Sequence, residues 1–180
     1  MNAFPLQRFA ATVALSLLCL AACTMTPARE KVLPERVQVS WAPLEKLSEV
    51  KDNPVWRGWL KPEEWQRMLT EHLRKRADAV LPPGERLEVI IDDIKLAGDY
   101  EPWRGPNLQD VRFMKDIYPP RLDLHFRLLG ADGAQIRDGE AKLRDMSYLM
   151  RSLPNSNDPL RYDKRQIDEW LNKEFRRGGS

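Results

Sequence analysis

Arg121-Leu122-Asp123-Leu124-His125-Phe126-Arg127-Leu128-Leu129-Gly130-Ala131-Asp132-Gly133 is the stretch from which the fold is read. Leu122, Leu124, Phe126 and Leu128 alternate with Arg121, Asp123, His125 and Arg127. A two-residue period puts the apolar set on one face of a strand and the polar set on the other. Gly130 to Gly133 then reads as a hairpin turn, in which Asp132-Gly133 supplies the positive φ. The return strand begins with Ile136 and ends with Ala141 and Leu143. Its apolar phase changes across Asp138-Gly139, which predicts a β-bulge there.

The same pattern extends upstream. Leu87, Val89 and Ile91 alternate, and Ile94 and Leu96 continue out of step, so a bulge near Asp92-Asp93 is expected to restore one buried face. Val37, Val39 and Trp41 mark a first strand, ended by Ala42-Pro43. Between these strands, Pro62 opens a helix with Glu63 and Glu64 at its positive end. Trp65, Met68, Leu69, His72, Leu73, Ala77 and Val80 form its apolar face, and Pro82-Pro83-Gly84 stops it. Downstream of the hairpin, Asp158 and Pro159 read as N-cap and first residue of a final helix whose apolar face is Leu160, Ile167, Trp170, Leu171 and Phe175. The order is β-α-β-(loop)-β-β-α. This predicts an α+β domain with a mixed four- or five-stranded sheet and two helices on one face. Leu44 to Leu60 reads as irregular, with Trp56 and Trp59 folding back on the core. Asp99 to Pro120 reads as a long loop with a short strand within Val111 to Ile117.

The N-terminus has a different character. Arg8 supplies a positive charge, and Phe9 to Leu20 is uncharged and apolar. That run is shorter than the ~20 residues a membrane-spanning helix needs, and a small-residue cleavage site follows it. Leu20-Ala21-Ala22-Cys23 has the form of a lipobox, the bacterial lipoprotein signal, in which Cys23 becomes the lipidated N-terminus. The expected organisation is a signal peptide over 1–22, a lipidated cysteine and tether over 23–35, one domain over 36–177 and a tail over 178–180. Thr24, rather than Asp, after the cysteine resembles the enteric sorting signal for the outer membrane, facing the periplasm. Cys19 leaves with the leader, so no disulfide forms within the mature chain. Of 29 basic residues only Arg8 leaves, which sets 28 against 27 acidic ones and gives no steering toward nucleic acid.

Chemistry-bearing motifs are sparse. His72 lies at the edge of an apolar helix face, and His125 has no second His or Cys at ligand spacing, so no metal is expected. Asp92-Asp93 would point to opposite faces unless a bulge intervenes. Asp132-Gly133 lacks the further acids of a calcium loop, and Ser147 has no GxSxG setting. GxGxxG, P-loop and HExxH motifs are absent, and no cofactor or enzymatic activity is expected. Arg161, Tyr162, Lys164 and Arg165 make the last helix basic at its start. The like-charged pair Arg161–Arg165 would be relieved by an acidic partner.

Lys115-Asp116-Ile117-Tyr118-Pro119-Pro120-Arg121, Asp145-Met146-Ser147 and Asn157-Asp158-Pro159-Leu160-Arg161-Tyr162-Asp163-Lys164, taken together, resemble a bacterial family known as domain of unknown function 3016. The resemblance runs from Val37 to Phe175. It implies an exported protein and assigns no catalytic residue.

Two functional readings follow. In the first, the chain is a non-enzymatic accessory lipoprotein, held to the membrane by its lipid and binding an envelope protein. In the second, its Trp-rich loops bind a glycan or peptide, such as peptidoglycan, with or without hydrolysis. The expected partner surface combines the loops 99–120 and 147–158, with Trp103, Arg104, Tyr148 and Arg151 as exposed candidates of hot-spot type.

Overall fold

The computed structural model of the chain describes residues 35–53, 60–151 and 157–175. Cys23 with its leader and tether, Trp56 and Trp59, and the tail lie outside the described residues.

The elements in chain order are β1 (Val37–Trp41), α1 (Ser48–Asp52), α2 (Pro62–Val80), β2 (Arg86–Lys95), β3 (Asp99–Tyr100), β4 (Arg112–Phe113), β5 (Arg121–Leu129), β6 (Gln135–Arg144) and α3 (Arg161–Phe175). Four strands form one sheet in the order β1-β2-β5-β6, and β3 and β4 form a separate two-stranded ribbon. β1 is parallel to β2, while β2–β5 and β5–β6 are antiparallel. The α+β class and the mixed sheet are therefore as the hydrophobic pattern requires. Within the stretch read as irregular, residues 44–53 are more ordered than their sequence suggested, because they include α1. Five residues are too few to display a helical period.

One face of the sheet carries the core. Leu87, Val89, Ile91, Leu122, Leu124 and Phe126 pack with Trp65, Leu69 and Leu73 of α2 and with Ile167, Trp170 and Phe175 of α3. Phe126, Trp170 and Phe175 meet edge to face with centroids 5.6–5.7 Å apart. Each such pair is worth ~0.5–1.5 kcal/mol beyond its buried area. His72 is an inter-helix strut: its Nε2 lies 2.8 Å from Asp168 Oδ1, which also accepts from Arg76 at 2.9 Å.

The register of β2 against β5 shifts between Ile91 and Asp93, where the bulge was expected. It sends the two acids apart. Asp92 meets His125 on the open face, and Asp93 accepts from Ser48 N and Oγ at 2.6 Å each. The second expected bulge, at Asp138-Gly139, is absent. β6 pairs without a break from Arg137 to Arg144, and the shift lies at Leu128/Leu129, opposite Ile136. The apolar phase misled because Arg137 takes a core-side position, with its guanidinium over Phe126 at 5.6 Å and Phe175 at 5.3 Å. Gly139 sits directly under Phe126, where a Cβ would come within 3.1 Å of the ring.

Candidate functional site

The 99–120 segment is anchored at the turn that ends β2. Arg112 Nη1 donates to the carbonyls of Leu96, Ala97 and Gly98 at 3.3, 3.1 and 2.9 Å, and Nη2 donates to Glu49 of α1. Leu96 N donates to Glu49 Oε2 at 3.0 Å, and Ala97 N donates to Asp163 Oδ1 of α3 at 3.1 Å. One turn is thus gripped by a helix on either side and by the ribbon. Gly98 is required there. Its φ is +78°, and a Cβ would fall 2.8 Å from the carbonyl oxygen of Phe113.

Glu49 and Asp163 are buried. Burial pushes the Glu49 carboxyl up, against the opposing charges of Arg112 and Lys95. Burial pushes Asp163 up to about 7, against the Ala97 N–H and Arg112. Both acids are enclosed by their partners, and this arrangement acts as a lock on the loop base.

A second cluster stiffens the loop itself. Glu101 is buried and accepts from Lys115 Nζ at 2.5 Å, from Tyr118 OH at 2.9 Å and from Arg104 Nε. The Lys115 ammonium, with Arg104 and Tyr118, holds the Glu101 carboxyl down at about 2, against the effect of burial. Arg104 and Lys115 also lie over Phe113, at 4.8 and 5.8 Å from its centroid.

The segment leaving β6 joins this base. Tyr148 OH donates to Lys115 O at 2.8 Å, so the two loops expected to combine are joined by a direct bond. Asp145 accepts from Arg165 Nη2 at 2.6 Å, and Asp158 accepts from Lys164 Nζ at 2.5 Å. The acids that answer the basic start of α3 therefore belong to this chain.

The structure sorts the four candidates unequally. Trp103 is 73 % exposed. Arg104 is half-exposed but committed to Glu101 and Phe113. Arg151 is exposed and paired with Glu169. Tyr148, expected at the surface, is 0 % exposed and packs edge to face on Tyr162, so it supports the loops from within. Sequence reasoning missed Ile117, Met146 and Met150, which are 72, 68 and 85 % exposed. Among the described residues the exposed large apolar side chains are Ile90, Trp103, Leu108, Val111, Ile117, Ile136, Met146 and Met150. Six of these eight lie on the two tied segments, 99–120 and 145–151. An apolar surface on a rigid, ion-paired base can dock another apolar surface.

Concavities among the described residues lie elsewhere on the domain. A recess of about 80 Å³ beside Arg112 is lined by Leu60, Trp65, Ala97, Tyr100 and Leu160. The open sheet face forms a broad depression of about 990 Å³ of mixed character, lined by Gln38, Ser40, Glu88, Ile90, His125 and Arg127 among others. There His125 sits between Asp92 and Glu140, which raise its pKa, and Arg127 pairs with Glu88. A groove of about 410 Å³ runs between β6 and α3. Among the described residues no group of three or more His, Cys, Asp or Glu side chains is placed to hold a metal ion. No helix among them is long and apolar enough to cross a membrane.

A family model described as "Protein of unknown function (DUF3016)" matches residues 35–173, and the chain belongs to that family. No curated protein and no solved structure matches the chain.

Proposed function

We propose that this member of the family is a lipid-anchored envelope protein that binds a protein partner through the two tied loops. One observation carries the reading: six of the eight exposed large apolar side chains of the described residues share loops joined by the Tyr148–Lys115 bond. The partner is a protein with a complementary apolar patch. Flexible Met146 and Met150 suit an irregular protein surface, because unbranched thioether side chains adapt to many shapes. The lipobox at Leu20–Cys23 supports an outer-membrane location facing the periplasm. A second reading, glycan or peptidoglycan binding, is favoured by the broad depression on the open sheet face, where His125, Arg127 and Glu88 flank half-exposed Ile90.

The test is the double variant Ile117→Ser, Met150→Ser. Both side chains are exposed, so its melting temperature should stay at the wild-type value, while capture of envelope proteins by crosslinking in intact cells should fall. A variant with wild-type crosslinks overturns the reading.

A further inference from the structure

β6 is an edge strand of the sheet, and the groove beside it differs in kind from the apolar loop surface. Its floor is formed by Ala141 and Leu143 of β6 and by Gln166 and Trp170 of α3. Gln166 is 4 % exposed, yet neither its Oε1 nor its Nε2 has a hydrogen-bond partner. Trp170, equally buried, has an unpartnered indole N–H. A buried polar group without a hydrogen bond has lost its hydration with nothing in return. Three unpartnered polar atoms on two neighbouring groove residues are therefore a feature that a ligand would relieve.

The groove has defined ends. Arg137 closes one, donating from Nη2 to the carbonyl of Glu174 at 2.7 Å. The Arg165–Asp145 and Arg151–Glu169 pairs bound the other. Between them Glu140 to Leu143 offers an edge of ~13 Å, at ~3.3 Å per residue. Alternate residues of an edge strand direct both backbone N–H and C=O outward.

We propose that this groove binds an extended peptide of four to five residues, which adds to β6 as a further strand. Backbone pairing with β6 supplies the register, and one inward side chain bearing a carbonyl or carboxamide meets Gln166 and the Trp170 N–H. Helix and edge strand together then recognise a strand, a mode in which main-chain bonds give affinity and alternate side chains give specificity. The charges that β6 carries on its outer face discourage sheet-to-sheet aggregation. The groove shares Arg151 with the segment leaving β6 but uses none of the exposed apolar side chains of the loop surface.

A displayed library of random dodecapeptides, selected against the full-length chain in detergent micelles, supplies the probe. Three results are expected of an enriched synthetic peptide. It slows amide hydrogen exchange at Glu140 to Leu143. It binds Gln166→Leu and Trp170→Phe roughly tenfold more weakly, the weight of one hydrogen bond to a buried group. It binds Ile117→Ser, Met150→Ser with unchanged affinity. Gln166→Leu should melt at or above the wild-type temperature, because it removes an amide that has no partner. The proposal is overturned if no peptide enriches, if bound peptide leaves β6 exchange unchanged, or if both groove variants bind as wild type does. It is also overturned if β6 protection rises with protein concentration alone and sedimentation shows a dimer, since a second copy would then fill the groove. Should one groove variant fail to fold, the other and the wild-type exchange measurement still decide.

Discussion

Asp163→Asn isolates the lock under the loops. Asparagine keeps an oxygen to accept from Ala97 N, and it removes the ionisable group whose second oxygen has no hydrogen-bond partner. In the wild-type chain Asp163 titrates near 7, against 3.8 when exposed. Between those values the folded state holds a proton that the unfolded chain has released. Stability therefore falls as pH rises from about 4 to about 7, and it levels off on either side. At about 1.4 kcal/mol for each tenfold change in acidity, the whole span is worth about 4 kcal/mol before relaxation. The variant should match wild type at pH 4 and exceed it by about 2–4 kcal/mol at pH 8. For a domain of this size that is a rise in melting temperature of about 5–15 °C. Urea titrations of both chains at pH 4, 5.5, 7 and 8.5 measure it. Subtracting one profile from the other cancels His125 and Glu101, which are common to both. Parallel profiles, with no divergence above pH 5, would refute the claim that Asp163 is buried as a near-neutral carboxyl.

Other outcomes follow from the same structure. Phe126→Ala should destabilise the chain by about 3–5 kcal/mol in a denaturant titration, the usual cost for a buried Phe, whereas His125→Ala on the open face should cost under ~1 kcal/mol; equal losses would contradict the strand register. Arg112→Met should cost about 3–5 kcal/mol by stranding buried Glu49, and a near-neutral melting temperature would show that the lock is dispensable. Cys23→Ala should release the protein from the membrane fraction. Sedimentation with membranes after high-salt washing would contradict the lipobox reading.

The hydrophobic periods made most of the scaffold legible. Leu122 to Leu128 set the central strand, and the slip after Ile91 located the bulge that separates Asp92 from Asp93. The same periods failed where a polar side chain turned inward. The phase change read at Asp138-Gly139 has its cause one residue earlier, where Arg137 takes a core-side position and its stem and guanidinium cover two core aromatics. Glu49, Glu101 and Asp163 could not be recognised as buried, since each needs partners from other segments: Glu49 meets Arg112 across 63 residues, and Asp163 meets Ala97 across 66. A local pattern carries no trace of such pairings. At the candidate site, loop length and composition singled out two segments that the Tyr148–Lys115 bond joins. They could not separate Tyr148, which braces the loops, from Met150, which faces solvent. The motif blocks around Lys115–Arg121, Asp145–Ser147 and Asn157–Lys164 include Lys115, Asp145 and Asp163, which help tie the loop base, while Glu49, Arg112 and Tyr148 lie outside them.

The docking role of the loops is tested most directly by placing a photo-crosslinking amino acid at single positions in the full-length protein in living cells. Ile117, Met150 and Trp103 sample the tied loops, and Ser40 and Arg127 sample the open sheet face. A docking surface gives one discrete adduct of the same mass from the three loop positions, and none from the sheet face. Adducts from the sheet face alone, or none from any position, would contradict it.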